Sequence, residues 1–191
     1  LLINARGESV LEKPAFRNAM RRRRCLIPTD GFYEWQSGTP KRPYFVRAKR
    51  EGDDAPPLAF AGLYETWTGP NGEEIDTAAI ITTKANHTLS AIHDRMPVFV
   101  PPQAFDLWLD CANVEADVAA ALIAPAEEAL LEAYEISTAV NRVANDTAAL
   151  IAPMSAEAPR VSRPPSADAF AKEKKPMPKK AKVPDGQASL F

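Results

Sequence analysis

Short apolar runs separated by turn residues occupy the first half of the chain. Residues 13–22 predict a helix, because Pro14 stands near the first turn and Phe16 and Met20 are four residues apart. The aromatic and β-branched runs that follow predict five strands at 25–27, 32–35, 44–46, 59–64 and 77–83, with a hairpin loop at Asn71-Gly72. No long helix separates successive strands, so we expect an α+β fold with a mostly antiparallel, barrel-like β core and flanking helices.

The second half of the chain changes character twice. Helices are predicted after Pro101-Pro102, around Trp108 and in the alanine-rich stretch 114–123, and a late strand is predicted at 134–137. From Met154 onward apolar periodicity ends and prolines and lysines dominate, which leaves too little apolar surface to offset the entropy of ordering. We therefore predict one domain over residues 1–153 and a disordered basic tail over 154–191. No apolar run approaches the roughly 18 residues of a membrane span, so no membrane partner is expected.

Charge is unevenly distributed along the 191 residues, whose formal net charge is −2. Residues 1–50 carry a net charge of +8, residues 51–153 carry −14 and residues 154–191 carry +4. Because attraction to a polyanion depends on charges within about 8–10 Å, the small net charge does not exclude nucleic acid. The four arginines at 21–24 predict a solvated helix end, where cations are favoured.

Cysteine and histidine are scarce, with two residues of each. Cys25 and Cys111 cannot form a disulfide framework or a four-ligand zinc site, and this composition fits a reducing cytosol. Cys25 lies inside an apolar strand segment and Cys111 follows the predicted helix around Trp108, so both are predicted to be buried packing residues. The sequence also lacks a Gly-rich phosphate loop, a Gly-x-Ser-x-Gly elbow and a Cys-x-x-Cys pair, and we expect neither a metal ion nor an organic cofactor.

Several polar residues interrupt apolar segments, namely Asn4, Arg6, Glu34 and His93. The Glu34 carboxylate lies between two aromatic residues, where partial desolvation would suit it for proton transfer unless strand alternation turns it to solvent. His93 is either a hydrogen-bonded structural histidine or a catalyst. Because adjacent residues of an extended segment point to opposite faces, we expect its partner to come from elsewhere rather than from Asp94.

Six short segments, in this order and at this spacing, resemble the SOS response-associated peptidase (SRAP) family from Ile3 to about Pro153. They are Asn4-Ala5-Arg6-x-Glu8, Arg24-Cys25-Leu26-Ile27-Pro28-x-Asp30-Gly31-Phe32-Tyr33-Glu34-Trp35, Phe60-Ala61-Gly62-Leu63, Thr82-Thr83, Ile92-His93-Asp94-Arg95-Met96-Pro97 and Val140-Asn141. The second and fifth segments together are highly specific.

The resemblance implies a protein that processes abasic sites in single-stranded DNA. In that family an N-terminal cysteine forms a covalent thiazolidine with the aldehyde of the opened sugar, without a metal or organic cofactor. By motif match, Asn4 positions this cysteine and Glu34 shuttles protons during imine formation and removal of the initiator methionine. His93 assists sugar opening and reversal of the crosslink.

The same resemblance implies contacts with DNA. Arg6 and Arg95 are expected to contact the phosphates that flank the lesion, because a guanidinium fork matches phosphate oxygens. Trp35 is a candidate for stacking on a base, the alternative being an ordinary core tryptophan.

The family's nucleophilic N-terminal cysteine is not among these 191 residues. We therefore expect the N-terminal part of the domain to be missing and the chain as it stands to be inactive, since Cys25 and Cys111 have no free α-amine. The alternative function is a non-covalent, clamp-tethered module that binds single-stranded DNA. A general peptidase acting on other proteins is a third hypothesis, but no conventional protease triad is recognisable.

The last five residues resemble the Gln-x-x-Leu-Phe peptide by which bacterial repair and replication proteins bind the β sliding clamp. Leu190 and Phe191 would fill an apolar pocket while Gln187 makes orienting hydrogen bonds. The alternative is an ordinary tail that ends in two apolar residues. The expected partners are thus abasic single-stranded DNA and the clamp, bound by a monomer in the bacterial cytoplasm at the nucleoid.

Overall fold

The computed structural model describes residues 2–49 and 57–154, which form two β-sheets and four short α-helices. The larger sheet has the strand order β1-β6-β5-β2, and β7 also pairs with β6. Its strands are β1 (Asn4–Arg6), β2 (Arg24–Thr29), β5 (Leu58–Thr68), β6 (Glu74–Lys84) and β7 (Arg95–Pro97). All pairs are antiparallel except that of β1 with β6.

The smaller sheet has the order β3-β4-β8 and is antiparallel throughout. Its strands are β3 (Phe32–Gln36), β4 (Arg42–Ala48) and β8 (Leu131–Glu135). The register places Phe32 opposite Val46 and Glu34 opposite Tyr44. Since cross-strand partners share a face, Phe32, Glu34 and Val46 lie on one face of this sheet.

The helices are α1 (Arg17–Arg22), α2 (His87–Ser90), α3 (Phe105–Leu109) and α4 (Ala116–Ala120). A break at Asp110 separates α3 from α4, because its side chain accepts hydrogen bonds from the backbone N–H groups of Ala112 and Asn113. No helix in the described ranges is long and apolar enough to cross a membrane. Nor do these ranges hold a group of three or more His, Cys, Asp or Glu residues that could bind a metal ion.

Two apolar clusters cover opposite faces of the larger sheet. The first lies beneath α1, α3 and α4, where Trp108 is fully buried and its indole N–H donates to the Cys25 carbonyl at 2.8 Å. The second joins the two sheets and the α2 segment. At its centre the rings of Phe32 and Phe60 meet edge to face, with centroids 5.7 Å apart. The smaller sheet is thus attached to the larger one through the face that carries Phe60.

The predicted α+β class and the antiparallel pairing of the five predicted strands are confirmed. The barrel-like core is wrong in one respect, since the described strands form two packed sheets and not a closed barrel. The three-residue strands β1 and β7 were not distinguished as strands by sequence, because so short a run carries little periodicity. The tail, with Gln187, Leu190 and Phe191, lies outside the described residues.

Arg24 corrects the prediction of a solvated helix end at 21–24. Arg21 and Arg22 are exposed, but Arg24 is buried, with 3% of its surface accessible. Its guanidinium donates to the backbone carbonyls of four residues at distances of 2.6 to 3.0 Å, namely Met20, Trp108, Asp110 and Val114. One arginine therefore joins the end of α1 to α3 and the turn that follows it.

The two cysteines are half-buried, not fully buried as predicted. Burial and the neighbouring Cys111 raise the pKa of the Cys25 thiol. A raised pKa lowers the thiolate fraction at neutral pH, which leaves Cys25 a poor nucleophile.

Candidate active site

The face of β3 that carries Glu34 is directed toward the larger sheet. Glu34 and Phe32 are two residues apart in a strand and so share a face, and the Phe32 ring packs on Phe60 of β5. Glu34 is half-buried, and its Oε1 atom accepts the Trp35 backbone N–H at 3.0 Å. The remaining carboxylate oxygen has no hydrogen-bond partner within the described residues and is available to move a proton.

The larger sheet presents Asn4 and Arg6 on the same side. Asn4 lies opposite Ile80 and Arg6 opposite Thr82, while Ala5 between them is fully buried in the first cluster. Ile80 packs against the second cluster, the one that contains Phe60. Because cross-strand partners share a face, Asn4 and Arg6 extend the surface on which the smaller sheet is seated.

His93 lies in the loop between α2 and β7. A hydrogen bond of 2.6 Å from Gln36 Nε2 to the Ala91 carbonyl joins this loop to the end of β3. Residues 36–37 and 90–94 line a shared groove. Gln36 is two residues from Glu34 and Ala91 is two residues from His93, so the bond brings the two predicted catalytic segments together.

The nearest partners of His93 are its own neighbours. Its Nδ1 atom accepts the Arg95 backbone N–H at 3.0 Å and lies 3.3 Å from two oxygens, the Arg95 carbonyl oxygen and a carboxylate oxygen of Asp94. The expectation that its partner comes from elsewhere is therefore wrong, because the chain turns at residue 94 and does not run fully extended. The contact with the Arg95 N–H is the shortest of the three, and when Nδ1 accepts it the neutral ring carries its proton on Nε2.

The α2 segment that precedes His93 is held by distant residues. The Glu128 carboxylate accepts the backbone N–H groups of His87 and Thr88 and the Thr88 hydroxyl, at 2.7 to 3.0 Å. These hydrogen bonds, the one from His87 foremost, lower the pKa of Glu128. Asn86 adds a cap by accepting the Leu89 N–H at 3.1 Å.

Arg95 is not free in this structure. Its two terminal nitrogens bind the two carboxylate oxygens of Glu8 at 2.7 and 3.0 Å, and one of them also donates to the carbonyl and hydroxyl of Thr82 at 2.7 and 3.1 Å. The hydrogen bond from Arg95 holds the pKa of Glu8 below its usual range. Arg6, by contrast, is exposed. Sequence reasoning placed Glu8 in a motif but gave it no role.

Trp35 is half-buried, and its indole N–H donates to Asn141 Oδ1 at 2.8 Å. This bond links β3 to the 3₁₀ turn Thr138–Asn141 and accounts for the asparagine of the sixth motif. Stacking of Trp35 on a base stays a prediction, as do the roles of Asn4, Glu34, His93, Arg6 and Arg95.

Comparison with known proteins identifies the family of the chain. The family described as SOS response associated peptidase (SRAP) matches residues 1–143. The abasic site processing protein YoqW of Bacillus subtilis (strain 168) is 41% identical over 150 residues, which are 78% of this chain and 66% of that protein. The abasic site processing protein HMCES of Gallus gallus is 35% identical over 175 residues, covering 82% of this chain and 52% of the relative.

A solved structure of similar fold is a crystal structure of a protein from Bacteroides thetaiotaomicron. It aligns with a TM-score of 0.70 at 31% identity, over 80% of this chain and 66% of that one. The chain thus spans slightly less than two thirds of the length of YoqW and about half that of the chicken relative. Because the family match covers residues 1–143, the chain belongs to the SOS response associated peptidase (SRAP) family.

Proposed function

We propose that the protein to which this chain belongs processes abasic sites in single-stranded DNA through a covalent crosslink to an N-terminal cysteine. The observation that carries the proposal is a pair of links to the segment of His93: Gln36 at the end of β3 donates to the Ala91 carbonyl, and Glu8, just after β1, binds Arg95. The names of the relatives, abasic site processing proteins, supply the substrate class.

The chemistry needs one group that moves protons beside an amine, a thiol and an aldehyde. The α-amine of the cysteine adds to the aldehyde carbon, and loss of water gives an imine. The thiol then adds across the C=N bond, its proton passes to nitrogen, and a five-membered thiazolidine closes. Glu34 suits the proton transfers, because one of its oxygens is held by the Trp35 N–H while the other is unpaired among the described residues.

Asn4 and His93 belong to different elements, strand β1 and the loop before β7. In the proposal, Asn4 orients the cysteine by hydrogen bonding, since its amide is exposed at the edge strand β1. His93 presents its Nε2–H toward the sugar oxygen, where a proton donor assists ring opening and the return from crosslink to aldehyde.

The two arginines differ in availability. Arg6 is exposed and fits a phosphate contact directly. The terminal nitrogens of Arg95 already bind Glu8 and Thr82, so a phosphate contact by the guanidinium fork requires exchange with the Glu8 carboxylate.

The test is a denaturing gel of crosslinked DNA. The chain is joined to the N-terminal segment of a family member that begins with cysteine, and a matched protein begins with serine instead. The substrate is single-stranded DNA with an abasic site, and its control carries the reduced sugar, which has no aldehyde. A shifted band is expected only for the cysteine protein with the intact abasic site. Non-covalent binding without any shifted band would support the DNA-binding module instead.

We also propose that the C-terminal residues bind the bacterial β sliding clamp. This tethering would raise the local concentration of the protein at the replication fork. The support is the sequence Gln187-Ala188-Ser189-Leu190-Phe191 at the end of a Pro/Lys-rich segment. A peptide of residues 184–191 should bind purified clamp in the micromolar range, and its Leu190→Ala, Phe191→Ala version should not. Equal binding, or none, refutes the clamp proposal alone.

A further inference from the structure

A line of hydrogen bonds connects Glu8 to His93. The Glu8 carboxylate binds both terminal nitrogens of Arg95, and the backbone N–H of the same Arg95 donates to His93 Nδ1 at 3.0 Å. Glu8 belongs to the 3₁₀ turn Gly7–Ser9 that follows β1, whereas Arg95 is the first residue of β7. The line therefore spans the larger sheet from one side of β6 to the other.

We propose that Glu8 is a positioning residue for His93: by holding the Arg95 side chain, it fixes the Arg95 N–H that selects the tautomer and direction of the imidazole. The inference rests on the proposed function only in giving His93 a catalytic role. The positioning itself is a property of the free protein.

The end of β7 needs such a restraint. The strand has three residues and Arg95 begins it. Beyond the pair of Arg95 with Lys84, one further backbone hydrogen bond, from the Ala85 N–H to the Asp94 carbonyl at 2.9 Å, closes the ladder before the loop. Strand and helix ends open most readily, because few hydrogen bonds oppose the motion. The Arg95 side chain supplies four more hydrogen bonds at this end, two of them to Glu8 and charge-assisted.

Glu8 is the partner that keeps the guanidinium in place. The Arg95 side chain is only 19% exposed, and its remaining acceptors, both on Thr82, are neutral. A largely buried cation without its carboxylate is costly, so Arg95 is expected to turn toward solvent when Glu8 is removed. That movement displaces the start of β7 and frees the Nδ1 atom of His93.

A competing role for Glu8 is to withhold Arg95 from DNA. The carboxylate occupies the fork that a phosphate would take, and both groups bind guanidinium in the same bidentate way. The burial of Arg95 favours positioning, because a phosphate would have to reach a side chain that is only 19% exposed. The two roles predict different results when the glutamate is neutralised.

The test reads the histidine rings directly by NMR of their nitrogens in the DNA-free chain, at a pH where both imidazoles are neutral. The chain has two histidines, and the exposed His87 serves as an internal reference. In the parent, His93 should show one tautomer with the proton on Nε2. Glu8→Gln should move the His93 shifts toward a tautomer mixture and leave His87 unchanged, and Arg95→Lys should do the same because lysine lacks the fork.

The matched control is Glu12→Gln, since Glu12 is an exposed glutamate whose side chain makes no hydrogen bond within the described residues. Amide spectra of every variant verify the fold. Unaltered His93 shifts in folded Glu8→Gln overturn the proposal, and tighter binding to single-stranded DNA in that variant would assign Glu8 to withholding Arg95. In the cysteine-initiated protein crosslinked to abasic DNA, Glu8→Gln should slow crosslink reversal when His93 is present but not in a His93→Ala background. If Glu8→Gln alters the His93 ring shifts but leaves the rate of crosslink reversal unchanged, the result counts against the catalytic role of His93, not against its positioning by Glu8.

Discussion

Individual side chains of the candidate active site differ in how firmly the protein holds them. Glu34 is anchored by one oxygen only, whereas Arg95 uses four hydrogen bonds and Arg6 lies exposed. A group that is held but not saturated can still exchange a proton or accept a ligand. The chemistry is therefore expected to depend on Glu34, and DNA affinity on Arg6.

Glu34→Gln should slow crosslink formation by about 10²–10⁴-fold, the usual cost of losing a general acid-base group. The amide keeps the shape of the side chain and can still accept the Trp35 N–H, so the fold should persist. Single-turnover crosslinking followed on denaturing gels measures the rate. Asp30→Asn, at an exposed carboxylate in the turn before β3, is the control and should be neutral. Parental rates for both variants would remove Glu34 from the reaction.

Arg6→Ala should weaken binding to single-stranded DNA and flatten its dependence on salt. Each lost phosphate contact reduces the slope of log K against log salt by about 0.7 for a single strand. Fluorescence anisotropy at several salt concentrations measures the slope. Arg22→Ala removes an equal charge from α1, beneath the opposite face of the sheet, and should leave the slope unchanged. An unchanged salt dependence of DNA binding in Arg6→Ala would show that Arg6 makes no phosphate contact.

At the scale of elements, α1 and α3 depend on one buried cation. Arg24→Met should lower the free energy of unfolding by about 3 kcal/mol or more, since several buried carbonyls would lose their donor. Urea unfolding of this variant measures the loss. Arg21→Met, on the exposed side of α1, should stay within about 0.5 kcal/mol of the parent. Equal midpoints for the two variants would contradict the role given to Arg24.

The same elements show what sequence could predict. Strands β2 to β6 were located because their apolar runs are long and bounded by turn residues, and the motif residues were named because the family signature is specific. The role of Arg24 was missed because its acceptors Trp108, Asp110 and Val114 lie more than 80 residues away. For the same reason no local pattern indicated that Glu8 binds Arg95, and the turn at Asp94 is a detail of backbone geometry.

At the scale of the whole molecule, carboxylates that accept hydrogen bonds in the fold make stability sensitive to acid. Three carboxylates have a pKa below the ordinary value. For Glu8, whose ordinary value is 4.5, the main cause is the hydrogen bond from Arg95. For Asp110 (3.8) it is the side-chain hydrogen bond from Asn113, and for Glu128 (4.5) it is the hydrogen bond from the backbone of His87. A depressed pKa in the folded state stabilises the fold above the unfolded value, and this stability is lost as pH falls through the folded value.

The melting temperature should therefore be constant from pH 7 to about pH 5 and fall below about pH 4.5. The combined variant Glu8→Gln, Asp110→Asn, Glu128→Gln should melt lower at pH 7 and lose less on acidification than the parent. Circular dichroism melts across this range compare the two proteins, with Glu12→Gln as the control. A parallel fall in both would show that other carboxylates cause the acid sensitivity.

The central claim is that β1 of one sheet and β3 of the other contribute to a single site. A double-mutant cycle of Asn4→Ala and Glu34→Gln tests it most directly, with the single-turnover crosslinking rate of the cysteine-initiated protein as the readout. Residues that act together on one step are not additive, so the rate loss of the double variant should be smaller than the product of the two single losses by at least about fivefold. Losses that multiply without coupling would mean that Asn4 and Glu34 act independently and that the two sheets do not share a site.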